Sequence, residues 1–224
     1  MNTQIIAIAN QKGGVGKTTT CANLGIGLAQ TGKKVLLIDA DPQGSLTASL
    51  GYEEPDDLRI TLATIMMDVI NEEEISLEDG ILHHQENVDL LPANIELSAL
   101  EVTMGNVMSR EMIMKEYIDA IRSRYDYILI DAPPTLGGWV MNILCASDYV
   151  LVPVEASPWG MFGLANMFDF LNEVREIAPD LKVLGIVVTK ADARKNYFKQ
   201  TMETLKEMEG IYLFESFIRV DSSI

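Results

Sequence analysis

Gln11-Lys12-Gly13-Gly14-Val15-Gly16-Lys17-Thr18-Thr19 is the stretch that decides the fold of this 224-residue chain. The apolar run from Ile5 to Ala9 comes before it and predicts a buried strand. Residues 21–30 follow it, and their alanines, leucines and other small residues predict a helix. A strand, a glycine-rich loop and a helix in this order are the layout of a phosphate-binding loop.

The residue types of this loop suit a bound phosphate group. Glycines without Cβ atoms let backbone N–H groups curl around an anion, and the helix N-terminus adds partial positive charge. In such a loop, Lys17 reaches the β- and γ-phosphates and the hydroxyl of Thr18 binds Mg²⁺. The usual pattern has a glycine where this chain has Gln11, and an additional lysine, Lys12, comes next.

The length and composition predict one domain, residues 1–224, with a well-filled core. The sequence has no repeat and no linker rich in proline, serine and glycine. The first strand begins close to Met1, so we expect neither a signal peptide nor an N-terminal DNA-reading module. No apolar run approaches the roughly 18 residues that a membrane span needs. Cys21 and Cys145 lie far apart and are expected to be buried, reduced thiols.

The net charge of −16 argues against a protein that coats nucleic acid with its whole surface. The charge is unevenly spread, however. Residues 51–79 contain ten acids and one base, whereas residues 182–219 contain seven bases and five acids. A local basic face therefore remains compatible with an acidic protein.

Two further strands end in acidic residues. Residues 35–38 are followed by Asp39 and Asp41, and residues 127–130 are followed by Asp131, which gives a Walker B pattern. The first of these strands should lie parallel to residues 5–9, because a helix connects the two. Carboxylates at the carboxyl ends of such strands lie beside the phosphate loop, where they hold Mg²⁺ or orient water. The residues alone do not distinguish the role of Asp39 from that of Asp41.

The rest of the chain continues the alternation of strands and helices. Ala132-Pro133-Pro134 and Gly137-Gly138 follow the Walker B strand and could form a switch that senses the γ-phosphate. Apolar spacing predicts helices at 62–70, 95–104, 110–121, 162–177 and 197–208, and strands at 88–91, 150–154, 183–189 and 212–218. Trp139 and Trp159 are expected to be packing residues. The predicted fold is α/β, a three-layer P-loop NTPase fold with a mostly parallel twisted sheet flanked by helices.

Several motifs together resemble the ParA/MinD family of deviant Walker A ATPases. The lysine-first loop at 12–19 is similar to the deviant Walker A motif of that family, and residues 38–45 are similar to the next motif. Residues 130–137 resemble the Walker B and switch segment, and residues 152–156 and 192–194 resemble further stretches. The resemblance covers nearly the whole chain and is closest to the short, Soj-like ParA proteins.

The resemblance implies an ATPase that works as a dimer with ATP and Mg²⁺. ATP would drive two subunits into a sandwich in which Lys12 crosses to the partner's phosphates while Lys17 serves its own. Asp41 matches the water-positioning carboxylate, and Thr18, Asp39 and Asp131 would support Mg²⁺. The residues that would contact the nucleotide are Lys12, Gly13, Gly14, Val15, Gly16, Lys17, Thr18 and Thr19.

The resemblance also implies a role in plasmid or chromosome partition. The ATP dimer would bind DNA without sequence preference, and a ParB-type centromere-binding protein would stimulate slow hydrolysis and release the dimer. Arg194 matches a DNA-contacting arginine of the family, and Lys190, Lys195, Lys199 and Arg219 would extend the patch. A second DNA-contacting arginine of the Soj-like pattern falls near Ser223, and the family continues past residue 224 into a final helix. The protein is expected in the cytoplasm, on the nucleoid and off the membrane.

Four alternatives remain open. A MinD-like membrane-cycling ATPase would need a C-terminal amphipathic helix, which this sequence does not contain. Thr189-Lys190-Ala191-Asp192 resembles the guanine-reading element of GTPases, although threonine replaces its asparagine. A nucleotide-gated scaffold would hydrolyse almost no ATP. A metabolic enzyme such as an amidoligase would need a pocket for a small acid.

Overall fold

Strands and helices alternate along most of the chain. The computed structural model describes residues 3–74, 78–105, 107, 109–157, 160–161 and 163–220. Its strands are β1 (Gln4–Ile8), β2 (Val35–Asp39), β3 (Leu82–His83), β4 (Asp89–Leu91), β5 (Tyr127–Asp131), β6 (Tyr149–Glu155), β7 (Lys182–Ala191) and β8 (Leu213–Arg219). Its α-helices are α1 (Lys17–Gln30), α2 (Ser45–Ser49), α3 (Leu62–Ile70), α4 (Glu96–Met104), α5 (Ile113–Ile121), α6 (Gly138–Cys145), α7 (Leu164–Ile177) and α8 (Asn196–Lys206). Short 3-10 turns lie at Pro55–Asp57, Arg110–Met112 and Arg122–Arg124.

The strands form one sheet in the order β3-β4-β2-β5-β1-β6-β7-β8. Every neighbouring pair is parallel except β3 and β4, which form an antiparallel edge. In register, Ile8 pairs with Asp131 and Asp39 pairs with Asp131, so the ends of β1, β2 and β5 lie side by side. The predicted mostly parallel sheet is confirmed, and its central strands bring the acidic strand ends to one edge.

The central strands are buried on both faces. In β1, Ile5 and Ala7 belong to one apolar core, whereas Ile6 and Ile8 belong to the other. This division follows from the two-residue period of a strand, which sends successive side chains to opposite faces. A continuous apolar run such as 5–9 is typical of a parallel strand covered by helices on both sides.

The helices complete the three layers. Helices α1 and α2 cover one face of the sheet, and α3 to α8 contribute to the larger core on the other face. Helix α1 lies very close to β2, because a Cβ atom on Gly25 would be only 2.4 Å from Leu37 Cδ2. Both predicted buried thiols, Cys21 and Cys145, are buried and free.

Four features differ from the expectations. The edge strand β3 and the short helix α2 were not predicted, and residues 110–121 form a 3-10 turn followed by α5 instead of one helix. Helix α6, which begins at Gly138, was also not predicted. It forms because of burial: Trp139, Val140, Ile143 and their neighbours pack into the core and stabilise the helix.

Two observations bear on other expectations. Within the described ranges, no helix combines the length and the apolar character that a membrane crossing requires. Trp139 is 3% exposed and packs in the interior, as expected. Trp159, Ser223 and the predicted helix start at Phe162 lie outside the described residues.

Candidate nucleotide-binding and DNA-binding sites

The glycine-rich loop lies between β1 and α1, at the carboxyl edge of the sheet. Gly14 and Gly16 have φ values of +70° and +83°, in the left-handed region that residues with a side chain rarely adopt. Gly16 is the N-cap of α1, so the loop leads directly into the helix N-terminus. Such a loop directs backbone N–H groups toward a common centre, as a bound phosphate requires.

Neighbouring strands hold the loop in place. Thr189 at the end of β7 donates its hydroxyl hydrogen to the Val15 carbonyl oxygen over 2.7 Å. At the start of the loop, Asn10 Nδ2 donates to the Pro153 carbonyl over 2.7 Å, and Asn10 Oδ1 accepts from the Lys12 N–H. Gln11, which occupies the usual glycine position, donates to the Gly163 carbonyl over 3.1 Å. The loop is therefore attached to β6, β7 and the segment before α7.

The two lysines of the loop have different surroundings. Lys17 is 7% exposed, and burial lowers the pKa of its ammonium group, although the charges of Asp131 and Asp41 oppose this effect. Lys12 lies at the rim, where its Nζ is 3.1 Å from Glu155 Oε2. Lys17 is thus fixed inside the site, whereas Lys12 is paired with a residue of its own chain.

Thr18 and Asp131 form a hydrogen-bonded pair beside the loop. Thr18 donates its hydroxyl hydrogen to Asp131 Oδ2 over 2.6 Å. The other carboxylate oxygen, Oδ1, is buried and has no hydrogen-bond partner among the described residues. Burial raises the pKa of Asp131 to about 7, with a further contribution from the charge of Asp39. A buried carboxylate oxygen without a partner, next to a threonine hydroxyl, fits Mg²⁺.

Asp39 lies beside Asp131 but has its own hydrogen-bond partners. Its Oδ2 accepts from both the N–H and the hydroxyl of Thr47 over 2.8 Å, and its Oδ1 accepts from the Asp41 N–H over 3.2 Å. Burial raises the pKa of Asp39 to about 6 in spite of these hydrogen bonds. Asp39 therefore fixes the segment 40–47, and Thr47 is a residue of this site that the sequence analysis did not identify.

Asp41 differs from Asp39 in its environment. It is only partly buried, and its Oδ1 accepts from the Gln43 N–H over 3.0 Å. The neighbouring Ala40 carbonyl accepts a hydrogen bond of 2.9 Å from the Trp139 indole N–H, which links this segment to α6. The structure thus separates two aspartates that the residues alone did not distinguish: Asp39 is buried with both carboxylate oxygens hydrogen bonded, and Asp41 is half-buried.

No group of three or more His, Cys, Asp and Glu side chains forms a metal site by itself in the described part of the chain. Mg²⁺ at Thr18 and Asp131 would therefore take its remaining ligands from nucleotide phosphates and water, as Mg²⁺ commonly does. The residues present fit a metal that arrives with a nucleotide.

The predicted DNA contacts divide into two groups. Arg194 and Arg219 line one groove of about 430 Å³, together with Ala191, Asp192, Ala193, Phe217 and Val220. Lys195 is the N-cap of α8, and Lys199 is exposed on that helix. Lys190 lies elsewhere: its Nζ is 3.9 Å from the position that a Cβ atom on Gly14 would take. The structure therefore brings Lys190 to the phosphate loop instead of the groove.

Arg194 is strongly paired in the groove. Its Nε and one terminal nitrogen donate to the two Asp192 oxygens over 2.9 and 3.0 Å, while its side chain is 90% exposed. This hydrogen bonding lowers the pKa of the Asp192 carboxyl well below its usual value. The candidate DNA contact is thus available to solvent but carries its own counter-charge.

Comparison with known proteins identifies the family. The AAA domain family matches residues 3–183. The chain is 40% identical over 205 residues to the sporulation initiation inhibitor protein Soj of Bacillus subtilis. The matched region covers 91% of this chain and 79% of Soj. It is 35% identical over 218 residues to the chromosome partitioning protein ParA of Caulobacter vibrioides. This second match covers 96% of this chain and 80% of ParA.

A solved structure agrees with these relatives. The crystal structure of cobyrinic acid a,c-diamide synthase from Mycobacterium smegmatis, with bound ATP analogue and magnesium, has a TM-score of 0.91. It is 32% identical in sequence, and the match covers 99% of this chain and 88% of that chain. The deviant phosphate loop, the arrangement of the acidic strand ends and these similarities lead to one conclusion: the chain belongs to the ParA/MinD family of deviant Walker A ATPases.

Proposed function

We propose that this protein is a slow ATP hydrolase of plasmid or chromosome partition, which binds DNA as an ATP-dependent dimer. The observation that carries the proposal is the arrangement of the phosphate loop. One lysine, Lys17, is buried among acidic strand ends, and a second, Lys12, lies at the rim with Glu155 as its only close carboxylate within the described ranges. A self-contained nucleotide pocket has no need of the second lysine.

In the proposed ATP complex, the loop residues 12–19 hold the phosphates, and Lys17 compensates their negative charge. Thr18 and Asp131 hold Mg²⁺, which supplies Lewis-acid stabilisation of charge on the phosphates when it is bound. Asp39 keeps the segment 40–47 in place through Thr47, so it supports the metal site indirectly. Asp41 orients the attacking water toward the terminal phosphate.

Lys12 is proposed to complete the site of a second subunit. A cation that meets the transferred phosphoryl group from a partner subunit acts like an arginine finger, which increases rates by roughly 10³–10⁵-fold in other nucleotide hydrolases. Hydrolysis would then depend on dimerisation, and a partner that adjusts this interface could stimulate a slow reaction. We infer that a ParB-type centromere-binding protein has this role.

DNA binding is proposed for the groove that contains Arg194 and Arg219, with Lys195 at the start of α8 and Lys199 on that helix as further contacts. Local positive charge can bind phosphates even when the whole chain carries −16. Because a dimer presents the groove twice, each arginine contributes two phosphate contacts. We therefore infer that the ATP dimer associates with the nucleoid in the cytoplasm.

The test measures binding to a random-sequence DNA duplex with ADP, with ATP, and with ATP for an Asp41→Ala variant. We expect binding with ATP only, stronger and longer lived in Asp41→Ala because hydrolysis no longer ends the ATP state. Asp180→Ala, which removes an exposed aspartate elsewhere, is the control and should behave like the wild type. Normal hydrolysis by Asp41→Ala would show that the catalytic role assigned to Asp41 is wrong.

Two further variants test the dimer and the groove. Lys12→Ala should bind ADP but lose ATP-dependent DNA binding, whereas Lys115→Ala, on the exposed side of α5, should keep it. Arg194→Ala should weaken DNA binding and lower the slope of log K against log salt by about two, since each phosphate contact contributes about 0.9. ATP-dependent binding to anionic liposomes without DNA binding would contradict the proposal in favour of a MinD-like membrane cycle.

A second candidate function comes from the cobyrinic acid a,c-diamide synthase structure, because its TM-score of 0.91 is high. An enzyme that forms an amide would use the γ-phosphate to activate a carboxylic acid. Such an enzyme should hydrolyse ATP faster with a carboxylate substrate and show no response to DNA. The same hydrolysis assay, with DNA or with a panel of carboxylic acids, separates the two functions.

A further inference from the structure

Lys190 lies next to the phosphate loop because of how β7 ends. Thr189, the residue before it, donates to the Val15 carbonyl, and its side chain lies 3.7 Å from the Cβ position of Gly16. The carboxyl end of β7 is therefore joined to the second half of the loop. The residue that follows Thr189 emerges directly beside the glycines.

The backbone of Lys190 is unusual for a lysine. Its φ of +49° lies in the left-handed region, which a residue with a Cβ atom adopts only at a cost in free energy. Its ammonium nitrogen lies 3.9 Å from the position that a Cβ atom on Gly14 would take, so the side chain reaches the loop. Uncommon backbone conformations that persist at a ligand site commonly serve the site.

The ammonium group of Lys190 has no carboxylate within 4 Å among the described residues, and the side chain is exposed. Lys17 is buried beside Asp131 and Asp41, and Lys12 is paired with Glu155. Of the three lysines that meet at this loop, Lys190 is thus the one with neither burial nor a counter-charge. An unpaired cation over a loop built for phosphate is suited to an anionic ligand.

We propose that Lys190 is a nucleotide-binding residue, which contacts a nucleoside di- or triphosphate held in the phosphate loop, and that it does not contact DNA. The inference rests on the proposed function only in that the loop binds a nucleotide. It replaces the expectation that Lys190 belongs with Arg194 and Arg219, whose groove it does not line.

The neighbouring Asp192 has a different role from the lysine. In the guanine-reading element that residues 189–192 resemble, the aspartate must be free to accept hydrogen bonds from the base. Here both Asp192 oxygens accept from Arg194. Lys190 therefore lies beside the loop, whereas Asp192 lines the groove with Arg194.

The experiment measures Mg²⁺–ADP affinity by titration calorimetry for the wild type and for Lys190→Ala, Lys190→Gly, Lys190→Arg and Lys206→Ala. Loss of one charged contact should weaken ADP binding about tenfold in Lys190→Ala. Lys190→Arg should recover part of this loss. Lys206→Ala removes the same charge from the exposed last turn of α8 and should stay within about twofold of the wild type.

Lys190→Gly distinguishes a binding role from a folding role. Glycine adopts a positive φ without strain, so this variant should unfold at or above the wild-type temperature and still bind ADP about tenfold more weakly. DNA binding at saturating ATP should be unchanged in the Lys190 variants. The proposal is overturned if Lys190→Gly binds ADP as tightly as the wild type, or if DNA binding falls while ADP binding stays intact. A wild-type protein that binds no nucleotide would instead refute the proposed function.

Discussion

Lys12 Nζ lies 3.1 Å from Glu155 Oε2, so the lysine proposed to cross to a second subunit is paired within its own chain. Both side chains are about one-quarter to one-third exposed, at 31% and 26%. An ion pair with this exposure contributes roughly 1 kcal/mol or less to stability. The pair is therefore strong enough to hold Lys12 at the rim and weak enough to exchange for a nucleotide phosphate.

Replacing Glu155 should make ATP-dependent dimerisation easier. In Glu155→Gln the lysine loses its counter-charge, so dimer formation no longer includes breaking the pair. The protein concentration at half-dimerisation with ATP should fall by up to about thirtyfold, because each dimer no longer breaks two pairs of about 1 kcal/mol each. Sedimentation of the Asp41→Ala background with ATP measures this concentration.

Asp119→Asn is the control for this prediction, because it breaks the ion pair of Asp119 with Lys115, whose nitrogen lies 3.1 Å away on the surface of α5. That variant should leave the half-dimerisation concentration unchanged. A weaker dimer in Glu155→Gln would mean that Glu155 contacts the partner subunit and does not restrain Lys12.

The two buried carboxyls predict that the nucleotide-free protein loses stability as the pH rises toward neutrality. The pKa values of Asp39 and Asp131 in the folded protein are raised to about 6 and about 7, whereas the unfolded chain has values near 4. Between about pH 4 and pH 7 the folded protein binds more protons than the unfolded chain. The free energy of unfolding therefore falls as the pH rises through this range. Each carboxyl contributes a slope of at most about 1.4 kcal/mol per pH unit.

Urea unfolding at a series of pH values, without nucleotide and Mg²⁺, tests this slope. Asp131→Asn should flatten the decline in the free energy of unfolding, because the amide does not ionise and can still accept from Thr18. Asp180→Asn changes an exposed aspartate and should leave the decline as it is. A wild-type protein whose stability rises steadily over the same pH range would rule out raised pKa values at this site.

Trp139 is expected to matter for catalysis as well as for folding. Trp139→Phe leaves the Ala40 carbonyl without its indole partner, which should lower the free energy of unfolding by about 1–3 kcal/mol. Because Ala40 precedes Asp41, a shifted segment should also lower kcat by roughly tenfold, with ADP affinity unchanged. Denaturant unfolding and steady-state hydrolysis measure the two effects separately.

Tyr117→Phe is the matched aromatic control. The Tyr117 hydroxyl is buried and has no hydrogen-bond partner in the described part of the chain, so its removal should be neutral or stabilising. Hydrolysis should be unaffected. If Trp139→Phe loses stability but keeps a wild-type kcat, the indole has a structural role only.

Removing Asp192 should strengthen DNA binding. Asp192→Asn releases Arg194 from its two charged hydrogen bonds, and the free guanidinium can then contact a phosphate in each subunit of the dimer. The affinity for a random duplex with ATP should rise by roughly three- to tenfold, and its salt dependence should become steeper. Fluorescence anisotropy at two salt concentrations measures both changes.

The control here is again Asp119→Asn, which frees a cation far from the groove and carries the same change in net charge. It should raise the affinity much less than Asp192→Asn. Weaker DNA binding by Asp192→Asn would indicate that the pair orients Arg194 for the DNA, and the assigned inhibitory role of Asp192 would be wrong.

Much of the fold could be predicted because local patterns determine it. Apolar runs that end in an acid, such as 127–131, specify buried parallel strands, and the glycine loop specifies the first crossover. The short elements β3 and α2 could not be predicted. Two residues of strand or one turn of helix carry too little periodicity, and they form because neighbouring segments supply their partners.

The sequence by itself determined the phosphate loop, the sheet of parallel strands and the family, because these depend on residue types at fixed spacings. Only the tertiary structure decided which side chains meet across long separations. It paired Lys12 with Glu155, Asp39 with Thr47 and Trp139 with Ala40. It also brought the Lys190 ammonium group beside the phosphate loop, at a backbone position with a left-handed conformation that spacing does not reveal.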